Sequence, residues 1–346
     1  MSESKKYWGD KLKIFLHDPI DKCFDIRNHV QRAKHYADII GVSDVDKVEG
    51  PDWIASCMER GLLPKGIFQD FTEIRHPFSD GKIDVNVKMF SKEFIFPDVE
   101  SAYRGIEGKN DFDDKRKFFY IWRNLQDLIF EKAKGKSWVE YLPILPADTR
   151  VPDHSIWEHL KIASAINAYL DSGSGRLIQN NSLFLFSIGP VQSFIAQARK
   201  TQDFYMGSFI LSFLTFKVIE VIIDMYGPTN IIYPDLYKQP FVDFWMKHKL
   251  GIEPIGFDEA SILIPTIPNR FVAILPLSNE SEINDIVVRM REKITKDSIQ
   301  EAKETIFSEF KLESHISDKI RNKIDSQLSE FPEIYWVALP WRINDK

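Results

Sequence analysis

Lys11-Leu12-Lys13-Ile14-Phe15-Leu16-His17-Asp18-Pro19 decides how this chain is read. An apolar, strand-like run ends abruptly in His17-Asp18, and Pro19 then stops it and opens a helix. A neutral imidazole beside a carboxylate, at the end of a buried element, offers two ligands for a divalent cation. The plainer alternative makes Asp18 a cap for the next helix and His17 a half-buried neighbour. The choice turns on whether other segments supply further ligands.

Working outward, Val30, Ala33, Ala37 and Ile40 share one helical face behind Asn28-His29, and Gly41 ends that helix. Residues 43–50 form a polar connection. Pro51-Asp52-Trp53-Ile54 opens another helix with Asp52 in its first turn, where the helix dipole favours a carboxylate whether or not it binds anything. Residues 61–110 are mixed, with short apolar pieces such as Phe94-Ile95-Phe96, and read as an irregular insertion or a small strand pair. Residues 118–133 read as an aromatic-rich helix. Leu145-Pro146-Ala147-Asp148-Thr149-Arg150 runs extended through Pro152-Asp153-His154 into a helix capped near Asp153 or Ser155. There His159, Ala163, Ile166 and Leu170 form one stripe, so His159 faces inward. An inward histidine is ordinarily a hydrogen-bonded core residue. It becomes a ligand only if His17 and Asp18 lie opposite it.

Asp171-Ser172-Gly173-Ser174-Gly175 is the clearest linker. It divides a first domain, 1–172 with an insertion at about 61–140, from a second at 176–346. A length of 346 residues suits two such domains. Apolar content of 44% and charged content of 28% are those of a soluble globular chain, and 13% aromatics argue against disorder. Residues 1–7 are polar and charged with no apolar stretch behind them, so no signal peptide is expected. Residues 209–223 are the most apolar, but Ser212, Lys217 and Glu220 interrupt them, which suits a buried helix better than a membrane span. Cys23 and Cys57 form no CxxC and suit a reducing, cytoplasmic setting. A net charge of −6 gives no global attraction for nucleic acid, so any such binding must be local or metal-mediated.

The second domain reads as strand 182–188, helices at 191–200 and 203–226, strand 230–233, strand 271–276, helices at 283–310 and 316–328, and strand 333–339 before Pro340. This β-α-β-β-α-β order predicts a ferredoxin-like sheet and makes the whole chain α+β. Polymerase and nucleotidyl cyclase palms share the layout, with carboxylates at the end of the first strand and at the central turn. Here the first strand ends in Ser187-Ile188-Gly189-Pro190, and no GGDD-type turn occurs. By its own residues this is a binding or scaffolding palm.

These strings together resemble the N-terminal part of the large subunit of type III-B CRISPR effector complexes, the Cmr type. The resemblance rests on Leu16-His17-Asp18-Pro19 with Asp21-Lys22 and Asn28-His29, Asp46-Lys47-Val48 before Asp52, and Leu145 to Arg150 leading to Trp157-Glu158-His159-Leu160. In the second domain it rests on Gly189-Pro190-Val191-Gln192, Ala198-Arg199-Lys200, Ile232-Tyr233-Pro234, Pro268-Asn269-Arg270 and Tyr335-Trp336. It implies a circularly permuted, mostly helical HD nuclease domain followed by the first of two palm domains. His17, Asp18, Asp52 and His159 would hold one or two cations, with His29 a further candidate. Lys22 and Arg150 would be candidates for neutralising a phosphate. Family members of this kind cut single-stranded DNA with manganese or nickel. Their partners are the other subunits and, through the complex, guide RNA and target RNA; no membrane is involved. Gly189, Gln192, Arg199 and Lys200 are candidates for contact with ATP or with a neighbouring subunit. The family's zinc module and second-palm GGDD do not appear here, which suits a fragment or one half of a split subunit. Cyclic oligoadenylate synthesis is therefore not expected of this chain alone. The alternatives are a non-catalytic scaffold of the same complex, which would contribute to an ATP site completed by a second palm, and a nucleotide phosphohydrolase.

The charge balance makes one expectation testable at once. Binding of single-stranded DNA by the isolated chain should be weak, fall steeply with added salt and be equal for unrelated sequences. Filter binding of two unrelated oligonucleotides over a salt series checks this; tight, salt-insensitive binding would point to a base-reading surface.

Overall fold

The computed structural model describes residues 3–48, 50–59, 71–85, 92–109, 111–166, 168–170, 177–312 and 316–341. Two compact units emerge: residues 1–179 together with 246–256, and residues 180–245 together with 257–346.

In the first unit the run before His17 is a helix and not a strand, α1 (Glu3–Leu16). Trp8, Leu12, Phe15 and Leu16 are buried at spacings of three and four, so the run shows the core-facing side of a helix. Six apolar-rich residues are too few to separate the two periods. Pro19 opens no α-helix. Its carbonyl accepts a bond from the Lys22 amide at 2.9 Å in a 3-10 turn, and a second such turn at Ile26–Asn28 leads into α2 (His29–Ile39). Ala33, Ala37 and Ile40 face inward as expected, but Val30 is exposed and Tyr36 takes the inner place. The Tyr36 hydroxyl donates to the buried Asp21 carboxylate at 2.7 Å. Gly41, at φ +74°, closes the helix.

Next comes α3 (Gly50–Glu59), with Asp52 in its first turn. A hairpin of β1 (Glu73–Arg75) and β2 (Lys82–Asp84) follows; 61–70, 86–91 and 110 of the expected insertion lie outside the described residues. Phe94-Ile95-Phe96 belong to a helix, α4 (Lys92–Glu107), which carries Pro97 within its first two turns. Ile95, Val99, Ala102 and Ile106 form its buried stripe. In α5 (Asp114–Lys132), Asp113 caps the start by accepting from the Arg116 amide at 2.8 Å. Phe118 and Phe119 of α5 meet Trp8 of α1 at 5.9 and 5.8 Å between ring centres. So α5, read from sequence as part of an insertion, is core to this unit.

Residues 246–256 close the same core. The buried Asn124 amide accepts from the Ile255 amide at 2.8 Å and donates to the Glu253 carbonyl at 3.3 Å, while Arg123 reaches the Ile255 carbonyl at 3.1 Å. Then α6 (Ile156–Ala165) is capped by Ser155. It ends before Leu170, which therefore leaves the His159 stripe and lies in β3 (Ala168–Leu170), paired with β4 (Leu177–Gln179). The linker at 171–175 lies outside the described residues. Buried Lys11 of α1 donates from Nζ to the Ser164 carbonyl of α6 at 2.6 Å.

The second unit begins with β5 (Asn181–Gly189), the short α7 (Gln192–Ile195) and the long α8 (Thr201–Tyr226). After β6 (Ile231–Tyr233) and α9 (Pro240–Trp245) come β7 (Arg270–Leu275) and α10 (Glu280–Ile294). A π-helical stretch at Thr295–Gln300 joins α10 to α11 (Glu301–Glu309), and α12 (Asp318–Glu330) and β8 (Glu333–Trp341) complete the unit. The sheet order is β6-β7-β5-β8, with every neighbouring pair antiparallel. With helices in both crossovers, this is a split β-α-β arrangement, and the chain as a whole is α+β. Phe184, Phe186 and Ile188 of β5 are buried, as are Leu214, Val218 and Ile222 of α8 and Ile286 and Met290 of α10. By length and composition α8 is apolar enough to cross a membrane, yet half of its apolar window is buried in this core. Pro340 does not end β8 but lies inside it, opposite Ser182. β8 is an edge strand, where a residue lacking an N–H is tolerated.

Lys11 gives the fold a titration signature. Burial pushes its pKa well below the usual value near 10.5. Between that lowered value and 10.5 the unfolded chain binds more protons than the folded one, so this residue makes stability rise with pH. Wild type should therefore gain stability relative to Lys11→Met as pH is raised toward about 10.5, and the difference should level off above it. Urea midpoints of both proteins across alkaline pH check this; a pH-independent difference would contradict it.

Candidate metal centre

His17 and Asp18 follow the last turn of α1, Asp52 lies in the first turn of α3, and His159 faces inward from α6. One ligand atom from each of the four lies within 4.8 Å of all the others. His159 Nε2 is 3.3 Å from His17 Nε2, 3.3 Å from Asp52 Oδ1 and 3.6 Å from Asp18 Oδ2. His17 Nε2 is 3.6 Å from Asp18 Oδ2 and 3.6 Å from Asp52 Oδ1. His17, Asp18 and His159 are buried, and Asp52 is the open side of the group, its side chain 31% exposed.

The proton inventory identifies what this point accepts. His17 Nδ1 donates to the Ile14 carbonyl at 2.6 Å, so Nε2 of the neutral ring carries a lone pair. That lone pair faces two carboxylate oxygens and a second imidazole nitrogen. Acceptors aimed at one another need a proton or a cation between them. Nitrogen and oxygen ligands held about 2.0–2.2 Å from a tetrahedral cation lie about 3.3–3.6 Å apart, which matches the five separations given above. The residues therefore fit a bound cation, and the backbone carbonyl sets the tautomer such a ligand requires.

Electrostatics agree. Burial pushes the Asp18 carboxyl up, but Lys22, His17 and His159 together hold it down at about 2. Burial also raises Asp52, and hydrogen bonds from His159 and His17 more than reverse this, leaving it well below the ordinary carboxylate range. Both acids are thus kept ionised at neutral pH, as ligands must be.

The remaining candidates divide. Lys22 Nζ lies 2.5 Å from Asp18 Oδ2 and brings a positive charge to the rim of the group. His29 stands outside the four: its Nε2 is 3.6 Å from the other Asp18 oxygen, Oδ1, and its Nδ1 donates to the Ile26 carbonyl at 2.6 Å. Arg150 is held by the buried Asp148 carboxylate in two bonds, 3.0 and 2.7 Å, so its guanidinium serves that residue. Ser56 escaped the sequence reading. Its hydroxyl donates to Asp52 Oδ1 at 3.3 Å from one helical turn on, and the Asp-x-x-x-Ser spacing was the available signal.

In the second unit, Gln192, Arg199 and Lys200 line an open cavity of about 650 Å³ with Ile195, Thr201 and Phe204, while Gly189 ends β5 outside it. The first turn of α8 already holds the Asp203 carboxylate, which accepts from the Arg199 amide at 3.1 Å.

Residues 183–327 match the family model described as CRISPR-associated protein Cmr2, N-terminal. The Cmr subunit Cmr2 of Pyrococcus furiosus is 29% identical over 389 aligned positions, covering 96% of this chain and 42% of that protein. The Cmr2 subunit of Saccharolobus solfataricus is 32% identical over 324 positions, covering 79% of this chain and 30% of that protein. A chain of the type III-B Cmr-beta complex bound to cognate target RNA superposes with a TM-score of 0.61 at 17% identity, covering 96% of this chain and 36% of that one. At that identity the likeness is one of fold. The chain spans less than half the length of each of these relatives. Family model, curated relatives and solved neighbour agree with the resemblance read from the residues: in sequence and fold the chain is similar to the N-terminal part of Cmr2, a subunit of type III-B Cmr complexes.

Proposed function

We propose that the first unit is an HD-type, metal-dependent phosphodiesterase acting on single-stranded DNA, and that the second is the first palm of a type III-B large subunit. The observation that carries this reading is the convergence of His17, Asp18, Asp52 and His159, from three separate helical segments, on one point. Those four residues would hold a divalent transition cation, manganese or nickel by resemblance. When bound, such a cation supplies Lewis acidity toward a phosphoryl oxygen and toward water.

The chain's own residues do the rest. The Ile14 carbonyl keeps the His17 lone pair turned into the site, and Ser56 steadies Asp52. The buried faces of His17, Asp18 and His159 keep bulk water from behind, so substrate enters past half-exposed Asp52. Lys22, at the rim, is placed to meet phosphate charge once Asp18 is shared with a cation. His29 would hold the second oxygen of Asp18 in orientation or serve a second cation.

A second reading, a scaffold for neighbouring subunits, is favoured by the sheet face opposite the helices. Leu183 and Leu185 of β5 lie across from Leu339 and Val337 of β8, and all four are exposed. An antiparallel sheet normally turns polar residues to water on its open face, so this apolar one suits protein contact. The other subunits, with guide and target RNA bound through them, would be the partners. The cavity beside Arg199 and Lys200 suits the phosphates of a nucleotide such as ATP.

The decisive variant is Asp18→Ala. Manganese at a hundredfold excess over its dissociation constant should stabilise the wild-type chain by about 2.7 kcal/mol. The substitution should abolish most of that gain together with single-stranded DNA cleavage, and circular dichroism should show the fold retained. Parallel assays on RNA and on deoxynucleoside triphosphates separate nuclease from nucleotide hydrolase. Cleavage that survives Asp18→Ala would refute the site, and manganese stabilisation without cleavage would favour the scaffold.

A further inference from the structure

The four candidate ligands sit on helices whose relative register must be set by something other than the ligands. His17 follows α1 and His159 rides on α6, and their Nε2 atoms stand 3.3 Å apart. A shift of one helix along the other by a single residue, about 1.5 Å, would spoil that separation. The hydrogen bonds that His159 and His17 make to Asp52 depend on protons that a bound cation displaces, so the ligand groups by themselves do not fix that register.

The second tie between these helices is Lys11. Its Nζ donates to the Ser164 carbonyl at 2.6 Å. Lys11 precedes His17 by six residues, about 9 Å of helix; Ser164 follows His159 by five, about 7.5 Å. The pairs Lys11–Ser164 and His17–His159 run in opposite senses, so α1 and α6 are antiparallel and joined at two points roughly two helical turns apart or less. Ser164 lies in the last turn of α6, and its carbonyl accepts from Lys11. The Lys11 stem is buried, with the Phe118 and Tyr7 rings 5.1 and 5.9 Å from Nζ. A long amine brought into such surroundings is a costly way to fill space, and methionine would fill it as well.

We infer that Lys11 is a positioning residue for the cation site: by fixing α1 against the end of α6, it sets the distance between His17 and His159. This rests on the reading of the four residues as cation ligands. It adds a residue that touches neither cation nor substrate.

The test uses the full chain with manganese and cobalt(II) as probes. Lys11→Met keeps length and apolar contact and removes the donor; Lys11→Gln keeps a shorter N–H donor. Calorimetric titration should show manganese binding weakened about tenfold in Lys11→Met and partly restored in Lys11→Gln. At saturation, the visible cobalt(II) spectrum of Lys11→Met should differ from wild type, which a change in stability alone would not produce. A folded Lys11→Met with wild-type affinity and spectrum overturns the inference. So does failure of both variants to fold, which would make Lys11 a residue of folding only. If the wild-type chain binds neither ion, the ligand reading falls, and that failure is visible before any variant is made.

Discussion

Everything in the first unit is arranged around a point where like meets like. Two carboxylates and two imidazole rings each turn one ligand atom to within 4.8 Å of the others. A protein interior penalises such a cluster by several kcal/mol unless a positive charge sits within it. The surrounding structure holds the groups in place against that tendency. Carbonyls three residues back lock the His17 and His29 rings, Lys22 and Ser56 each hold a carboxylate, and aromatic packing of α1 on α5 supplies stiffness. The penalty is met by burial elsewhere, a common feature of sites that must be ready before their ligand arrives.

The candidate ligands were legible because most of them are awkward where they stand. A histidine on an apolar stripe and a carboxylate after an apolar run both need a reason, whereas Asp52 near a helix start does not and counts only beside them. The geometry that joins them was not legible, because it depends on registers between segments some 140 residues apart in sequence, such as His17 and His159. Local period misled twice. The run 11–16 looks extended because its polar members are few, and Phe94-Ile95-Phe96 looks strand-like because three apolar residues stand directly before Pro97, although α4 runs through that proline. The backbone carbonyls of Ile14 and Ile26 carry orientation without any side-chain signal at all.

In the second unit the elements were easier, since Gly-Pro breaks and alternating strands announce themselves. The alternation in β5 even marks which side chains face the helices. It does not reveal that the opposite face stays apolar, because Leu183 and Leu185 read simply as part of a buried strand. An element apolar on both sides looks alike whether a second layer is folded onto it or remains to be added.

The segment 246–256 has a practical corollary. Its backbone satisfies the amide of Asn124 and part of the guanidinium of Arg123, both wholly interior to the first unit. Primary structure and folding unit are therefore interleaved: a gene truncated near codon 180 would encode a core that lacks one of its own walls. Each buried polar group deprived of its partner costs about 1–3 kcal/mol, enough to turn an excised half into an aggregation-prone product. Cloning boundaries for this half are better drawn by grafting the eleven residues back through a short loop than by cutting at the glycine-serine stretch.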